Sequence, residues 1–466
     1  MTFRFIRRST DVVRLASSLS KSPFHWAVLC TVAMGCLWSG LAPHHSHVES
    51  FLPIVSRTAT AAEGERPLRM THVENPLEEL AKDPRIATVL DQSELFEIQI
   101  IYTQIDRDDQ QNPRFTTWRL GADDSRYFYP ASTVKMPLAF LALEKINRIR
   151  SEGNLDLSRE TSYRLESERP DQTEWSVDLK APQSKPSIAQ DIRAIFAVSD
   201  NDAYNHLYEF LGREYINATL RDKGYAKTGI VHRFYSTVLN QRITQPISFY
   251  GPNGDVFEEP EKSDQRDWQN PQQRTRKGTG FMDGRGKLIH EPFDFTGKNW
   301  FSLGDMERML RAVLFPDAMP SQGRFDIAKD DLRFLHQSMG LFPREFSYPK
   351  YNADDYWDSY VKFFVMGDEK KTQEHSLRIF NKVGEAYGTL TDTAYVVDFE
   401  NKVEFVLAAT ILCNRDGIFN DDQYDYESVG FPFLASLGKV VLDYERKRNR
   451  AVLPDLSYWQ EVLEVD

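Results

Sequence analysis

YFYPASTVKMPLAFLALEKI, residues 127–146, decides how this chain folds. From Ala131 onward, ASTVKMPLAFLALEKINRI (131–149) is apolar over a helical length and predicts a largely buried helix. Ser132 stands at its start and Lys135 one turn later. Residues three apart share a helix face, so an ammonium at 135 can reach a hydroxyl at 132. The free N–H groups of a helix start also favour a developing oxyanion. Upstream, FEIQIIYTQI (96–105) alternates apolar and polar residues and predicts a strand, with RFTTWRL (114–120) as its hairpin partner. S-x-x-K recurs at Ser18, Ser347, Ser359 and Ser436. Only the Ser132 copy follows a strand pair and opens an apolar helix.

Two further motifs lie downstream. Ser199-Asp200-Asn201 sits in IFAVSDNDAYNHLYEFLG (195–212), with helical spacing on both sides. Lys382-Val383-Gly384 sits in IFNKVGEAYGTLTDTAYVVDF (379–399). After it, TAYVVDF (393–399), a turn at Glu400-Asn401 and VEFVLAATIL (403–412) predict a hairpin. Lys227-Thr228-Gly229 is a competing copy, but no hairpin follows it and it is set aside. In this order the three motifs resemble the S-x-x-K, S-D-N and K-T-G set of the penicillin-recognising serine hydrolases, nearest to class A β-lactamases. The resemblance covers roughly residues 75–447 and is dense only around the motifs. It implies an α+β fold of the β-lactamase/DD-peptidase kind: an antiparallel sheet flanked by helices, made from both chain ends, with a mostly helical lobe inserted. The catalytic cleft would lie between sheet and lobe. Periodicity alone gives only α+β.

The residue types suit acyl transfer. A serine hydroxyl needs a nearby base to act as a nucleophile. Lys135 can serve if its amine is neutral, which burial and a neighbouring positive charge favour. Lys382 can supply that charge. Ser199 can relay a proton to the leaving nitrogen, and Asn201 can donate to a substrate amide carbonyl. The resemblance adds an oxyanion hole formed by the N–H groups of Ser132 and Glu385, next to Gly384. The expected site is therefore Ser132, Lys135, Ser199 and Lys382 for catalysis, with Asn201, Gly384 and Glu385 on the substrate. Singly, each motif has a plainer explanation. Ser132 can be an N-cap, Lys382 a solvated strand-end charge, and Ser199-Asp200-Asn201 a turn that ends one helix and caps the next.

Two departures bear on the substrate. In β-lactamases a Ser or Thr usually follows the motif lysine and helps hold the substrate carboxylate. Here Val383 cannot hydrogen-bond, and Glu385 would repel a carboxylate. The class A pattern also has a Glu-x-x-x-Asn after the S-D-N helix, and none occurs between Asn201 and Ser302. Glu258, Glu259, Glu261 and Glu291 lie in that stretch, with nothing to single one out as a base. The expected protein is an exported active-site-serine hydrolase acting on an amide or β-lactam. A peptidase or esterase on a non-lactam envelope substrate, and a non-catalytic envelope binding module, stay open.

Composition sets the bounds. Hydrophobic content of 41% and charge of 27% fit a globular protein with a core. Residues 1–62 carry +4 of the net −12, which leaves −16 on the remainder and argues against nucleic acid as a partner. Arg4, Arg7, Arg8, Arg14 and Lys21 precede an uncharged, mostly apolar stretch at 26–42, as in a cleaved export signal or an uncleaved anchor. Either places the body in the periplasm or cell envelope, with the membrane met only through that segment. Residues 1–62 are thus signal or anchor with tether, and 63–466 the hydrolase domain. Within it, 75–150 and 380–447 form the α/β lobe, and 151–379 the helical lobe with a long loop at 236–299. Residues 75–92 predict one helix with Pro76 in its first turn, and 302–314 and 430–447 predict two more. Residues 340–378 are aromatic-rich and give no pattern.

No cofactor or metal is expected. His44-His45-Ser46-His47 reads as polar tether. Asn420-Asp421-Asp422 with Asp425 and Glu427 lacks EF-hand spacing. Cys413 is the body's only cysteine, so no disulfide forms within it. The expected partner is a small-molecule or peptide substrate. Tyr351, Tyr356, Trp357 and Tyr360 can stack on a sugar or peptide, though buried aromatics are the default. The oligomeric state is not legible.

Overall fold

The computed structural model describes residues 75–464 apart from 155, 237, 252–253 and 373–375. The basic leader, the apolar stretch, the histidines at 44–47 and most of the tether lie outside the described residues. Five antiparallel strands form the central sheet: β1 (Gln99–Arg107), β2 (Pro113–Leu120), β3 (Leu377–Ala386), β4 (Thr389–Asp398) and β5 (Val403–Leu412), in the order β3-β4-β5-β1-β2. Both chain ends build it: Gln99 lies opposite Thr410, and Lys382 opposite Thr393. The flanking helices that matter most for the site are α1 (Lys135–Ser151), α2 (Ile188–Val198), α3 (Asn201–Leu211), α4 (Leu303–Leu314) and α5 (Phe431–Lys447). This is the α+β architecture expected from the sequence.

Position in the sheet explains each strand's pattern. β5 is central, with apolar neighbours on both faces. Val406 and Ala408 enter one core, and Phe405, Leu407, Ala409 and Ile411 the other. Its sequence therefore shows no alternation. β2 is an edge strand and keeps exposed residues such as Arg114, Thr116 and Arg119 along its length. Each large apolar side chain fully buried here contributes roughly 1.5–3 kcal/mol. A polar tie crosses the sheet. Arg107 of β1 donates twice to Glu404 of β5, at 2.5 and 2.7 Å, and Tyr395 of β4 adds a bond of 2.7 Å to the same carboxylate.

Helices cover both faces. α4 crosses one face, where Glu307 accepts from Thr103 of β1 at 2.6 Å. α5 covers the other through Leu434, Leu437 and Val441. α1 is buried without a break from Lys135 to Ile146, so it is a core element with no solvent stripe over that length. Among the described residues no helix is long and apolar enough to cross a membrane.

Two stretches differ from expectation, and a third, 340–378, shows why its sequence has no pattern. Residues 75–92 form two short helices, Pro76–Leu80 and Ala87–Leu90, instead of one. Pro84 offers no N–H and disfavours helical backbone at Asp83, and the Asp83 carboxylate instead accepts from Arg85 N at 2.9 Å. Within 236–299, Ile247–Gly251 pairs with Gly254–Glu259 and with Ser162–Leu165, so part of the long loop is a small sheet. Residues 340–378 contain short 3-10 turns, Pro343–Glu345 and Asp358–Val361, ahead of β3.

The rejected Lys227 motif has a packing role. Thr228–Gly229 pairs with Trp300–Phe301. Lys227 N and Thr228 Oγ1 both donate to Asp305 in the first turn of α4, at 3.0 and 2.9 Å. The Trp300 ring lies on Gly229 so closely that any Cβ there would clash with it. Gly229→Ala should therefore destabilise by about 1–3 kcal/mol, as overpacking does. A fall in the thermal midpoint is the expected readout, and an unchanged midpoint would show that the ring can move aside freely.

Candidate active site

Ser132 lies half-buried in a 3-10 turn, Ala131–Val134, that runs directly into α1. Ala131 is held at φ +46°, a left-handed conformation that costs an L-residue on the order of 1–3 kcal/mol. Thr133 fixes the turn, donating from N and Oγ1 to Pro130 O at 3.1 and 2.6 Å. β3 presses against it. A Cβ on Gly384 would sit 2.6 Å from Pro130 O and 3.2 Å from Thr133 N, so only glycine permits this approach. β3 is the sheet edge, and half of its N–H and C=O groups have no strand partner.

Ser199 links the other two motifs. α2 ends at Val198, and Ser199 adopts φ +58°. This turns its carbonyl toward Lys135, whose Nζ donates to it. Asp200 caps α3, accepting from Ala203 N at 3.0 Å. The turn role expected of Ser199-Asp200-Asn201 thus falls largely to Asp200, leaving the side chains of Ser199 and Asn201 to the site. Lys135 Nζ lies 3.2 Å from Ser199 Oγ and 2.7 Å from Asn201 Oδ1. Lys382 Nζ lies 2.8 Å from the same Ser199 Oγ and 2.9 Å from Val383 O. With Oδ1 taken, Asn201 presents its NH₂ as a donor. The Ser132 hydroxyl makes no hydrogen bond among the described residues; in unliganded sites such contacts often tighten only when substrate binds.

Burial controls the charges. Lys135 is fully buried, which lowers its pKa to about 7, with Asp200 and Asp202 opposing the shift. Burial pushes Lys382 well below the usual lysine range, and the charge of Lys135 pushes it further. Beneath Lys382 lies a polar chain that no motif predicted. Lys362 donates to Met339 O at 2.7 Å and to Asn381 Oδ1 at 2.8 Å. Asn381 donates to Asp392 at 2.7 Å. Asp392 also accepts from the N–H groups of Phe363 and Phe364, at 3.0 and 3.2 Å. Burial raises Asp392 to about 6 and lowers Lys362 to about 7. Lys362 is the lysine of the rejected Ser359 motif.

An aromatic residue stands beside Lys135 on the loop that follows the helix Arg213–Asp222 and the short strand Thr228–Gly229. The Phe234 ring centroid is 5.5 Å from Lys135 Nζ. Asn205 clamps Phe234 by both backbone groups, at 2.7 and 2.9 Å. Arg233 donates to Glu209 at 2.5 and 2.9 Å. Asn299 Oδ1 accepts from Val231 N at 2.7 Å and His232 N at 3.1 Å. The four loop glutamates are engaged elsewhere or exposed. Glu259 pairs with Lys145 at 2.6 Å and with Lys262, and Glu261 pairs with Arg169 at 2.6 Å. Glu258 and Glu291 face solvent. None hydrogen-bonds to Ser132, Lys135 or Ser199.

Other sequence candidates fall into place. Glu385 Oε2 is buried and accepts no hydrogen bond among the described residues. Burial, with Glu427 nearby, raises its pKa to about 8. Tyr351 is buried and packs edge-on to Tyr356, at 5.3 Å between centroids, while Tyr356, Trp357 and Tyr360 are half-buried. Asp425 of the acidic loop pairs with Arg415 at 2.6 Å. No cluster of three metal-ligating side chains exists among the described residues. Cys413 is buried, which pushes its thiol pKa up.

If neutral Lys135 is the base for Ser132, acylation must fall in acid. Below about 7 the amine is protonated and the rate should drop about tenfold per pH unit, levelling off above. Lys135→Arg supplies no neutral amine and should lose roughly 10²–10⁴-fold, whereas Lys227→Ala should change nothing. Stopped-flow acylation rates that stay flat across about pH 5–9 would remove Lys135 from that role.

The beta-lactamase enzyme family matches this chain over residues 82–329. That span holds Ser132, Lys135, Ser199 and Asn201 and ends before Lys382. Several solved structures overlap with the chain. An ancestral class A β-lactamase has 15% identity and a TM-score of 0.43, over 77% of this chain and 98% of that one. The chromosome-encoded β-lactamase of Vibrio parahaemolyticus has 12% identity and a TM-score of 0.43, over 78% and 100%. A class A β-lactamase from Mycobacterium abscessus has 14% identity and a TM-score of 0.39, over 77% and 98%. No curated protein matches. Since the family match takes in more than half of its residues, the chain belongs to the beta-lactamase enzyme family.

Proposed function

We propose that this is an exported serine hydrolase that forms an acyl-enzyme on Ser132. The observation that carries this reading is the Ser199 hydroxyl set between Lys135 at 3.2 Å and Lys382 at 2.8 Å. Family membership supports a hydrolase of the serine β-lactamase type. Export rests on the basic residues ahead of the apolar stretch at 26–42.

In this mechanism neutral Lys135 takes the Ser132 proton as Oγ attacks the substrate carbonyl. The N–H groups of Ser132 and Glu385 hold the oxyanion beside the free edge of β3. As the bond from the carbonyl carbon to the leaving atom breaks, Ser199, polarised by Lys382, passes its proton to that atom and takes in exchange the proton held on Lys135, 3.2 Å away. Asn201 donates to a side amide of the substrate. The acyl-enzyme then needs an activated water, and Phe234 beside Lys135 cannot activate one.

β-Lactams should therefore be poor substrates. Val383 and Glu385 offer no anchor for their carboxylate, and an unmade charged hydrogen bond weakens binding by roughly 1.5–3 kcal/mol. Absence of a deacylation base slows turnover by about 10²–10⁴-fold. This favours an amide or ester outside the lactam class as natural substrate. Mass spectrometry after treatment with a fluorescent penicillin or a fluorophosphonate should find the adduct on Ser132, and Ser132→Ala should lose it. With a chromogenic cephalosporin, any turnover should show a burst and then a slow steady state. Rapid turnover with no burst would refute the slow deacylation, and no adduct with any probe would leave a binding module.

A further inference from the structure

The Glu385 side chain has no part in the steps above, yet it is placed at the cleft. On β3, Lys382 and Gly384 face Ser199 and the Ser132 turn. Val383 and Glu385 share the opposite face, as strand geometry requires. β3 is the sheet edge and Glu385 directly follows Gly384, so the backbone of Glu385 stands beside the Ser132 turn. Glu385 Oε2 is buried and no described residue donates to it. A buried acceptor without a donor is unfavourable, and nothing among the described residues offsets it.

The surroundings suit one kind of donor. Tyr360 and Tyr426 lie close enough to sense the charge of Glu385, and Glu427 stands beyond. Tyr360 packs edge-on to Trp357, with centroids 5.3 Å apart. Aromatic rings around a carboxylate take up organic cations. The protein already does this once at the rim: Lys370 Nζ lies 4.3 Å from the Trp357 centroid and 4.0 Å from a Glu427 oxygen. The buried cations nearby are committed elsewhere, Lys382 to Ser199, Lys362 to Asn381 and Arg378 to Glu345. An anionic ligand here would meet two carboxylates.

We propose that Glu385 selects substrates bearing a primary ammonium or guanidinium on the part that lies along β3. The inference rests on acyl transfer at Ser132. Burial, with Glu427 nearby, raises Glu385 to about 8, so a bound cation would drive its ionisation and release a proton near neutral pH.

Three activated esters that differ only in an acyl-chain terminus of ammonium, methyl or carboxylate test it. Wild-type kcat/KM should favour ammonium over methyl by about 10-fold or more, with carboxylate lowest. Glu385→Gln should bring the ammonium-to-methyl ratio near one, and Glu385→Lys should invert it. A wild-type ratio of one or less, or a ratio that survives Glu385→Gln, would overturn the proposal. If Ser132→Ala hydrolyses the esters as fast as wild type, acyl transfer itself has failed, and binding then decides. Benzylamine should raise the melting midpoint of wild type above the effect of benzyl alcohol or benzoate, and should lose that advantage in Glu385→Gln. Equal shifts by all three would refute a cation site.

Discussion

Two buried lysines share one hydroxyl, and much of the fold serves to hold them there. Their distances to Ser199 Oγ, 3.2 and 2.8 Å, keep the two nitrogens within about 6 Å. At that separation two unit charges repel by about 3 kcal/mol at an effective dielectric near 20. Burial works in the same direction, so a doubly charged pair is disfavoured and one amine stays free to accept a proton. Holding this pair requires a helix buried from its first residue, an edge strand that delivers Lys382, and a break between α2 and α3 where the chain turns left-handed at Ser199. Each is a local concession that the surrounding apolar core makes affordable.

The parts of this arrangement that repeat along the chain were legible in the sequence. The β1–β2 hairpin announces itself by period, α1 and β5 by apolar runs of helix and strand length, and α4 and α5 by helical pattern; Ser302 caps α4 by accepting from Asp305 N. Parts that depend on distant segments were not legible. The aromatic residues of 340–378 form short turns fixed by tertiary packing, which leaves no period to read. Phe234 is in no motif; Asn205 on α3 and Asn299 before α4 hold its loop from outside. Lys362 belongs to an S-x-x-K copy whose serine has another task, since Ser359 Oγ donates to Glu369 O at 2.6 Å. Its lysine nonetheless ends beneath the site. Motif spacing put Ser132 and Lys135 where the chain turns into α1, but it carries no information about what packs under Lys382.

Phe234 and Val383 alter the site in complementary ways. An aromatic face tolerates an adjacent ammonium but has no lone pair in which to hold a water proton. A valine at the edge strand keeps the β geometry that a Ser or Thr would have and removes only the hydroxyl. Both changes leave backbone and lysines in place, so in the mechanism proposed the half that attacks a carbonyl is separable from the half that discharges the acyl-enzyme.

The pairing of β1 with β5 has a consequence for how the protein comes into being. Gln99 meets Thr410, so the sheet cannot close until most of the chain has been made. Contacts of such sequence separation form late and slowly. Lys382 arrives on a strand that needs β4 and β5 beside it, and Ser199 has only one of its lysines until then. A nascent or truncated chain thus holds the nucleophile without the second ammonium. On the mechanism proposed, the site would therefore be incomplete through synthesis, and its chemistry would switch on with the last strands.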